Sequence, residues 1–171
     1  WVDAALSRVV DMLMAIPTLI FALIVLAMLG TSLPVLIGTI ALFDMTRVFR
    51  LSRFLGMSIS AMDYVEAARL RGEGWWWIIR REILPSALPA LATEFGLRFC
   101  FAFLFIASLS FLGLGIQPPY ADWGGMVRDN AAAINLGRYA PLSPVLAIAQ
   151  LTIGVNLLID SLLARPANWK G

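Results

Sequence analysis

Histidine is absent from the 171-residue chain, and cysteine and lysine each occur once. Without histidine, catalytic triads with a histidine base and most catalytic zinc sites are excluded. The single cysteine, Cys100, excludes a disulfide or a cysteine cluster within the chain. The only lysine, Lys170, is followed by Gly171, whereas a Walker A loop needs Ser or Thr after Gly-Lys. Energy from ATP would therefore have to come from a partner.

Charged residues are also scarce. They form 14% of the chain, against about a quarter in soluble domains, while hydrophobic residues form 60% and the mean hydropathy is +0.83. No Asp, Glu, Lys or Arg occurs in residues 12–43, 99–121 and 139–159. Because roughly 18 such residues can cross a bilayer as a helix, the composition predicts a multi-pass membrane protein.

The apolar pattern predicts an all-α membrane helix bundle of about four spans, which we treat as one transmembrane domain over residues 1–171. The expected spans are residues 10–29, 34–48, 86–112 and 140–163. Pro17 predicts a kink in the first span, which membrane helices tolerate. Two polar segments separate the later spans, residues 58–85 and an outer loop at 113–138.

Basic residues are distributed unequally between the two sides of the predicted membrane. Seven arginines lie in one stretch from the end of the second span to the start of the third: Arg47, Arg50, Arg53, Arg69, Arg71, Arg80 and Arg81. The positive-inside rule places this region in the cytoplasm, with ten cations inside and only Arg128 and Arg138 outside. The same distribution explains the pI near 9.1 without a nucleic-acid partner, and no base-stacking module is present.

The cytoplasmic segment contains a predicted short helix at residues 61–71. Its pattern places four residues on one face: Ala61, Tyr64, Val65 and Ala68. Glu66 and Arg69 lie one turn apart and can pair. Gly72 suits the left-handed conformation that ends a helix. Small alanines beside a carboxylate predict a surface that another protein can approach closely.

This segment resembles the EAA loop of ABC importer permeases, in which Glu-Ala-Ala is followed by three residues, a Gly and, about eleven residues later, Leu-Pro. The matching residues are Glu66, Ala67, Ala68, Gly72, Leu84 and Pro85. One departure is Glu82, which stands where the motif has Ile, with Ile83 one place later. The Ile-Leu-Pro ending is similar to the dipeptide/oligopeptide/nickel branch.

Similarity to that branch extends along nearly the whole chain. The most specific match is residues 108–119, SLSFLGLGIQPP, with Trp123 and Gly124 shortly after. Trp1-Val2-Asp3 and Asn156-Leu157-Leu158 also fit. The resemblance identifies a C-type permease subunit, and it implies that further spans precede the first residue, so that the chain is a fragment of that subunit.

The resemblance implies a type I ABC importer transmembrane domain for peptides or similar small solutes in the bacterial inner membrane. It implies no catalytic residue, metal or cofactor in this chain. The implied partners are a second permease subunit, two ATPase subunits that bind ATP and Mg²⁺, and an extracytoplasmic solute-binding protein. The residues expected to couple to the ATPase are Glu66, Ala67, Ala68, Arg69 and Gly72. The alternative is a channel-like protein or a non-transporting membrane scaffold, neither of which needs a coupling helix.

Glu94 and Arg98 lie four residues apart in the third predicted span. Charged residues within a membrane usually face a cavity or a partner, so the two form either a pathway pair or a structural ion pair. Similar permeases commonly have Glu where this chain has Ile106, so substrate contacts do not transfer from them. Asp44 is expected to pair with Arg47.

Two groups of aromatic residues have alternative interpretations. Trp75, Trp76 and Trp77 are typical of a membrane–water interface, and a ligand site is the less favoured alternative. In the outer loop, Asp122 and Trp123 either support the loop or contact the binding protein.

Overall fold

The computed structural model describes residues 1–164, and every regular element within them is a helix. In chain order the elements are α1 (Val2–Met14), α2 (Thr18–Leu29), α3 (Leu33–Ser60), α4 (Asp63–Leu70), α5 (Trp75–Ile78), a π-helix (Ile79–Ile83), α6 (Leu84–Phe111), α7 (Trp123–Asn130), a 3-10 helix (Ala131–Leu136) and α8 (Leu142–Ala164). The predicted all-α fold is confirmed. Arg165 and Lys170, two of the predicted cytoplasmic cations, lie outside the described residues.

The first predicted span is broken rather than kinked. Helices α1 and α2 meet at 84° across residues 15–17, so a single helix over residues 10–29 was the wrong prediction. Pro17 is the residue before α2 and has no N–H with which to continue α1. Helix α2 has 12 residues, about 18 Å at 1.5 Å per residue, which is shorter than the roughly 30 Å hydrocarbon core.

Helix α3 continues well beyond the predicted end of the second span at residue 48. It has 28 residues, so Arg47, Arg50 and Arg53 lie on a helix and not in a loop. Within residues 1–164, two helices can cross a membrane by length and composition, Trp75–Phe111 and Leu142–Leu162, with a third crossing if the bent α1–α2 pair counts as one. Helix α3 is long enough to cross a membrane but is not apolar enough, because Asp44 and these arginines interrupt its apolar sequence. The fourth crossing stays a prediction.

Helix α6 is the centre of the bundle and contacts α3, α7 and α8. It begins and ends within two residues of the predicted third span, and α8 agrees equally well with the fourth. The π-helix joins α5 to α6 without a break, so residues 75–111 form one helix of 37 residues. At 1.5 Å per residue this helix is about 55 Å long, much longer than the hydrocarbon core is thick.

Two hydrophobic clusters lie near opposite ends of α6. The inner cluster consists of Ile59, Val65, Ala68, Ile78 and Ala87. The outer cluster consists of Ala22, Leu26, Leu36 and Leu109. The two α6 members are 22 residues apart, about 33 Å along the axis. This distance is close to one hydrocarbon thickness, which agrees with the prediction that residues 58–85 and 113–138 lie on opposite sides of the membrane.

The predicted outer loop is more regular than its Gly- and Pro-rich sequence indicates. It contains α7 and the 3-10 helix, and it folds back so that α7 packs against α6 and α8. Asp122 accepts a hydrogen bond from the backbone N–H of Gly125 at 2.9 Å and so caps α7. The Trp123 ring meets the ring of Phe103 edge-on, with centroids 5.6 Å apart. Both side chains therefore support the structure, as one of the two interpretations predicted.

Candidate coupling site and intramembrane charge cluster

Helix α4 has one buried face and one exposed face. Val65 and Ala68 are completely buried and pack in the inner cluster against the end of α3 and the start of α6. Glu66, Ala67 and Arg69 are exposed. Because a helix repeats every 3.6 residues, burial of positions 65 and 68 turns the neighbouring carboxylate and alanine outwards. The helix is thus anchored while its motif residues stay accessible.

Gly72 ends α4 in the manner expected. Its φ is +81°, and its N–H donates to the carbonyl of Arg69 at 2.9 Å. The N–H of Glu73 donates to the carbonyl of Ala68 at 3.3 Å. These two bonds form a Schellman motif. A Cβ at Gly72 would meet no atom within 4 Å, so the backbone conformation, and not a lack of space, favours glycine.

Three predictions about α4 were wrong. Ala61 is exposed and lies before the helix begins, and Tyr64 is 42% exposed, so neither belongs to the packed face. Glu66 and Arg69 form no salt bridge; the guanidinium of Arg69 lies 5.0 Å from the centre of the Trp75 ring. An exposed ion pair contributes little, and the aromatic face provides an alternative partner for the cation. Glu66 is left free of Arg69 and available to a partner.

Polar contacts also join α4 to the first turns of the long helix that includes α6. Tyr64 donates its hydroxyl hydrogen to Ser86 Oγ at 3.1 Å, and Ser86 in turn donates to the carbonyl of Glu82 at 2.7 Å. Arg71 lies 4.0 Å from the Glu82 carboxylate. The sequence alone does not reveal these contacts, because it gives no distance between α4 and α6. Together with the inner cluster, they link α4 to the π-helix and the start of α6.

The Glu94–Arg98 pair predicted from sequence is confirmed. Arg98 Nε lies 2.8 Å from Glu94 Oε1. This nitrogen is buried without a hydrogen-bond partner, so the contact is ionic and not hydrogen-bonded. The predicted Asp44–Arg47 pair is also present at 3.8 Å.

Asp44 is a third member of the charge cluster that the sequence did not reveal. Its carboxylate lies 3.9 Å from Arg98 Nη1, so one guanidinium connects α3 to α6. The cluster borders a cavity of about 610 Å³ between these helices, with otherwise mainly apolar walls. The side chains of Asp44, Glu94 and Arg98 are only 22%, 18% and 17% exposed. The arrangement can hold or release an inter-helix contact, and it offers both signs of charge to the cavity.

The described part of the chain provides no other obvious chemistry. Within residues 1–164, no three His, Cys, Asp or Glu side chains are grouped so as to hold a metal ion. Cys100 is buried, and its sulfur accepts a hydrogen bond from Asn156 on α8 at 3.2 Å.

Comparison with known proteins decides the family. The family model described as "Binding-protein-dependent transport system inner membrane component" matches residues 1–165. The chain belongs to this family. Its place in the inner membrane agrees with the long apolar helices, and the resemblance found in residues 66–72 and 108–119 is confirmed.

Several curated relatives have the same name, "Glutathione transport system permease protein GsiD". They include proteins of Pectobacterium atrosepticum, Shigella dysenteriae serotype 1 and Escherichia coli O157:H7. Each is 33% identical over 162 residues, which are 95% of this chain and 54% of the relative. The chain thus spans about half the length of the curated relatives it matches.

Proposed function

We propose that this chain is the part of an ABC importer permease that transmits movement from a separate ATPase to the transport pathway. In this proposal α4 is the coupling helix. Glu66 and Ala67 face the ATPase directly, Ala68 anchors the helix, Arg69 positions Trp75, and Gly72 sets the direction in which the chain leaves α4. ATP and Mg²⁺ bind to the ATPase subunits, and this chain has no catalytic residue.

The observation that carries the proposal is the double character of α4. Its exposed face has a carboxylate without a partner in residues 1–164, next to an alanine that leaves room for another backbone. Its buried face packs through Val65 and Ala68 in the inner cluster with Ala87 of α6, and the exposed Tyr64 adds a hydrogen bond to Ser86 of α6. Movement of α4 would therefore be transmitted to α6. Two members of the intramembrane charge cluster, Glu94 and Arg98, also lie on α6, and Arg98 is about 18 Å along the axis from Ser86.

In the same proposal, the Asp44–Arg98–Glu94 cluster lies on the pathway. Movement of α6 relative to α3 would stretch the 3.9 Å Asp44–Arg98 contact while leaving the Glu94–Arg98 pair on one helix intact. Asp44 would then keep only Arg47, 3.8 Å away, and because charge within a membrane is costly, it would favour an additional contact with a solute cation or water. The cluster would then alternate between closing the cavity and receiving solute.

The proposed solutes are peptides or similar small molecules. This choice rests on the printed name of the relatives, whose glutathione is a tripeptide, and on a cavity border that presents both a cation and carboxylates. A second permease subunit and an extracytoplasmic binding protein complete the proposed assembly. A channel or scaffold, the alternative function, would not need the exposed motif face of α4.

Copurification and uptake measurements test the coupling role. The variant Glu66→Ala should insert and express normally but lose association with the ATPase subunits or lose transport, because charged side chains buried at interfaces can contribute several kcal/mol. Asp63→Ala is the matched control, since it removes a carboxylate from the same turn of the same helix but lies outside the motif. It should leave both measurements nearly unchanged.

The alternatives predict different results. If Glu66→Ala transports and copurifies like the unmodified protein, α4 is not the coupling helix. If no ATPase copurifies with the unmodified protein and solute flux does not depend on ATP, the protein is a channel or a scaffold.

A further inference from the structure

Four side chains before α6 line one open cavity of about 650 Å³: Trp76, Trp77, Arg80 and Arg81. We call this cavity the aromatic–basic groove. Trp76 is 85% exposed and Trp77 38% exposed, and both arginines are exposed. Each tryptophan precedes an arginine by four residues, a spacing that places side chains next to each other on a helix. The groove therefore combines two aromatic walls with two cations.

The positive charge of the groove is uncompensated. Within the described residues, neither Arg80 nor Arg81 forms a salt bridge or a side-chain hydrogen bond. Glu82, the nearest carboxylate in sequence, interacts with Arg71 instead. A guanidinium group has donors arranged to bind a phosphate through two parallel hydrogen bonds. The groove is thus suited to a phosphate-containing anion.

The position of the groove indicates which anion it meets. Arg80 lies four residues before Leu84, about 6 Å along the helix axis, where the apolar sequence of α6 begins. Leu84 and Leu88 follow Arg80 at four-residue intervals, along one side of the helix, and are 45% and 53% exposed. A ligand with a phosphate at one end and a hydrocarbon chain at the other matches this order of cations followed by leucines.

We propose that the aromatic–basic groove binds the headgroup of an anionic phospholipid from the cytoplasmic leaflet. The phosphate would lie between Arg80 and Arg81, and an acyl chain would lie along Leu84 and Leu88. Trp76 and Trp77 would occupy the headgroup layer, where amphipathic rings are favoured. Because Trp75 also contacts Arg69 of α4, a lipid in the groove lies directly beside the proposed coupling helix.

Lipid retention tests this site independently of transport. The purified permease is placed in nanodiscs or mild detergent with phosphatidylglycerol or with phosphatidylcholine, and bound lipid is counted by native mass spectrometry. The unmodified protein should retain phosphatidylglycerol preferentially. The double variant Arg80→Gln/Arg81→Gln should bind it about 30-fold more weakly, since each basic residue at an anionic surface contributes about five- to sixfold. Arg80→Lys/Arg81→Lys keeps the charge but not the paired donors of the guanidinium, so it should recover part of the binding.

The control removes the same charge from the other side of the protein. The variant Arg128→Gln/Arg138→Gln should retain phosphatidylglycerol normally. Equal retention by the two Gln double variants, or displacement of the lipid by millimolar glycerol 3-phosphate, would overturn the proposal. So would loss of ATPase copurification by Arg80→Gln/Arg81→Gln with unchanged lipid retention, because the groove would then be an ATPase contact. Coupling through Glu66 is measured separately, so either proposal can fail alone.

Discussion

Glycine-rich segments lie beyond both ends of α6, and they differ in how closely they pack against the bundle. At the outer end, α7 packs so closely on α6 that Gly124 touches the backbone of Ala107. At the other end, which the arginine distribution predicts to be cytoplasmic, Gly72 has open space around it, and glycine is favoured there only because φ is +81°. The outer segment is thus packed against the bundle, whereas the cytoplasmic segment is anchored along one face and presents the other.

This difference assigns different mechanical roles to the two ends. Close backbone packing transmits strain and tolerates little change in volume, so the outer segment holds α6, α7 and α8 together. Around α4, the packed face is limited to a few small or medium side chains, and the rest of the surface is polar and exposed. A partner can bind there without disturbing the core, which is what a coupling surface requires.

The largest expected difference between the two ends is in labelling. Cysteines introduced at Ser60 and Gly74 should be protected from an impermeant thiol reagent in intact cells, whereas one at Tyr120, which is 70% exposed, should react. The native Cys100 is buried and gives little background. Permeabilised cells, in which all three should react, provide the control. Labelling at Gly74 but not at Tyr120 in intact cells would reverse the orientation and remove the basis for ATPase contact.

The next largest effect is expected from Gly124→Ala. The new Cβ would collide with the backbone of Ala107, which cannot move without displacing α6 from α7. Overpacking of this kind costs about 3 kcal/mol. Gly125→Ala is the matched control, because its Cβ would meet only Asp122 at an ordinary 3.8 Å. Thermal unfolding in detergent should show a clear loss for Gly124→Ala alone; equal behaviour would mean that α7 is not closely packed.

A smaller effect is expected from the charge cluster between the two ends. Arg98→Gln should destabilise more than Glu94→Gln, because it removes the only cation paired with Glu94 in residues 1–164 and one of the two paired with Asp44, which keeps Arg47. The double variant Arg98→Gln/Glu94→Gln should lose less free energy of unfolding than the two single variants together, with a coupling energy of about 1 to 2 kcal/mol. Unfolding in detergent measures the stability of all three variants. Additive losses would show that the 2.8 Å contact has no energetic effect.

The sequence predicted the positions of the helices whose apolar composition sets them apart from their neighbours. The apolar pattern located α6 and α8 to within two residues, because a helix that crosses the hydrocarbon core must be mostly apolar along its length. The break at Pro17 was underestimated because proline only kinks many membrane helices. Helix α3 was ended too early because its arginines looked like a loop, although a helix can extend into the cytoplasm.

Site residues were predictable where the contact is local and not where it is distant in sequence. Glu94 and Arg98 share one helix face, so spacing alone revealed them. Asp44 joins them from 54 residues away, which no spacing rule reaches. The partner of Arg69 was misassigned because Glu66 lies one helical turn away. Trp75, shortly after the turn at Gly72, was the sequence feature that could have indicated the aromatic contact.

The smallest expected effect separates backbone conformation from space at the cytoplasmic end. At both Gly72 and Gly74, no atom lies within 4 Å of the position that a Cβ would occupy, but the φ values are +81° and −71°. Gly72→Ala should cost about 1 kcal/mol or slightly more, because alanine is strained in the left-handed region. Gly74→Ala should cost less than Gly72→Ala, because alanine adopts the extended backbone conformation at position 74 without strain. Gly72→Asn should fall between them, since asparagine tolerates this conformation better. Differential scanning calorimetry in detergent distinguishes the three variants. Equal losses of stability at both glycines would mean that α4 does not depend on the Schellman motif.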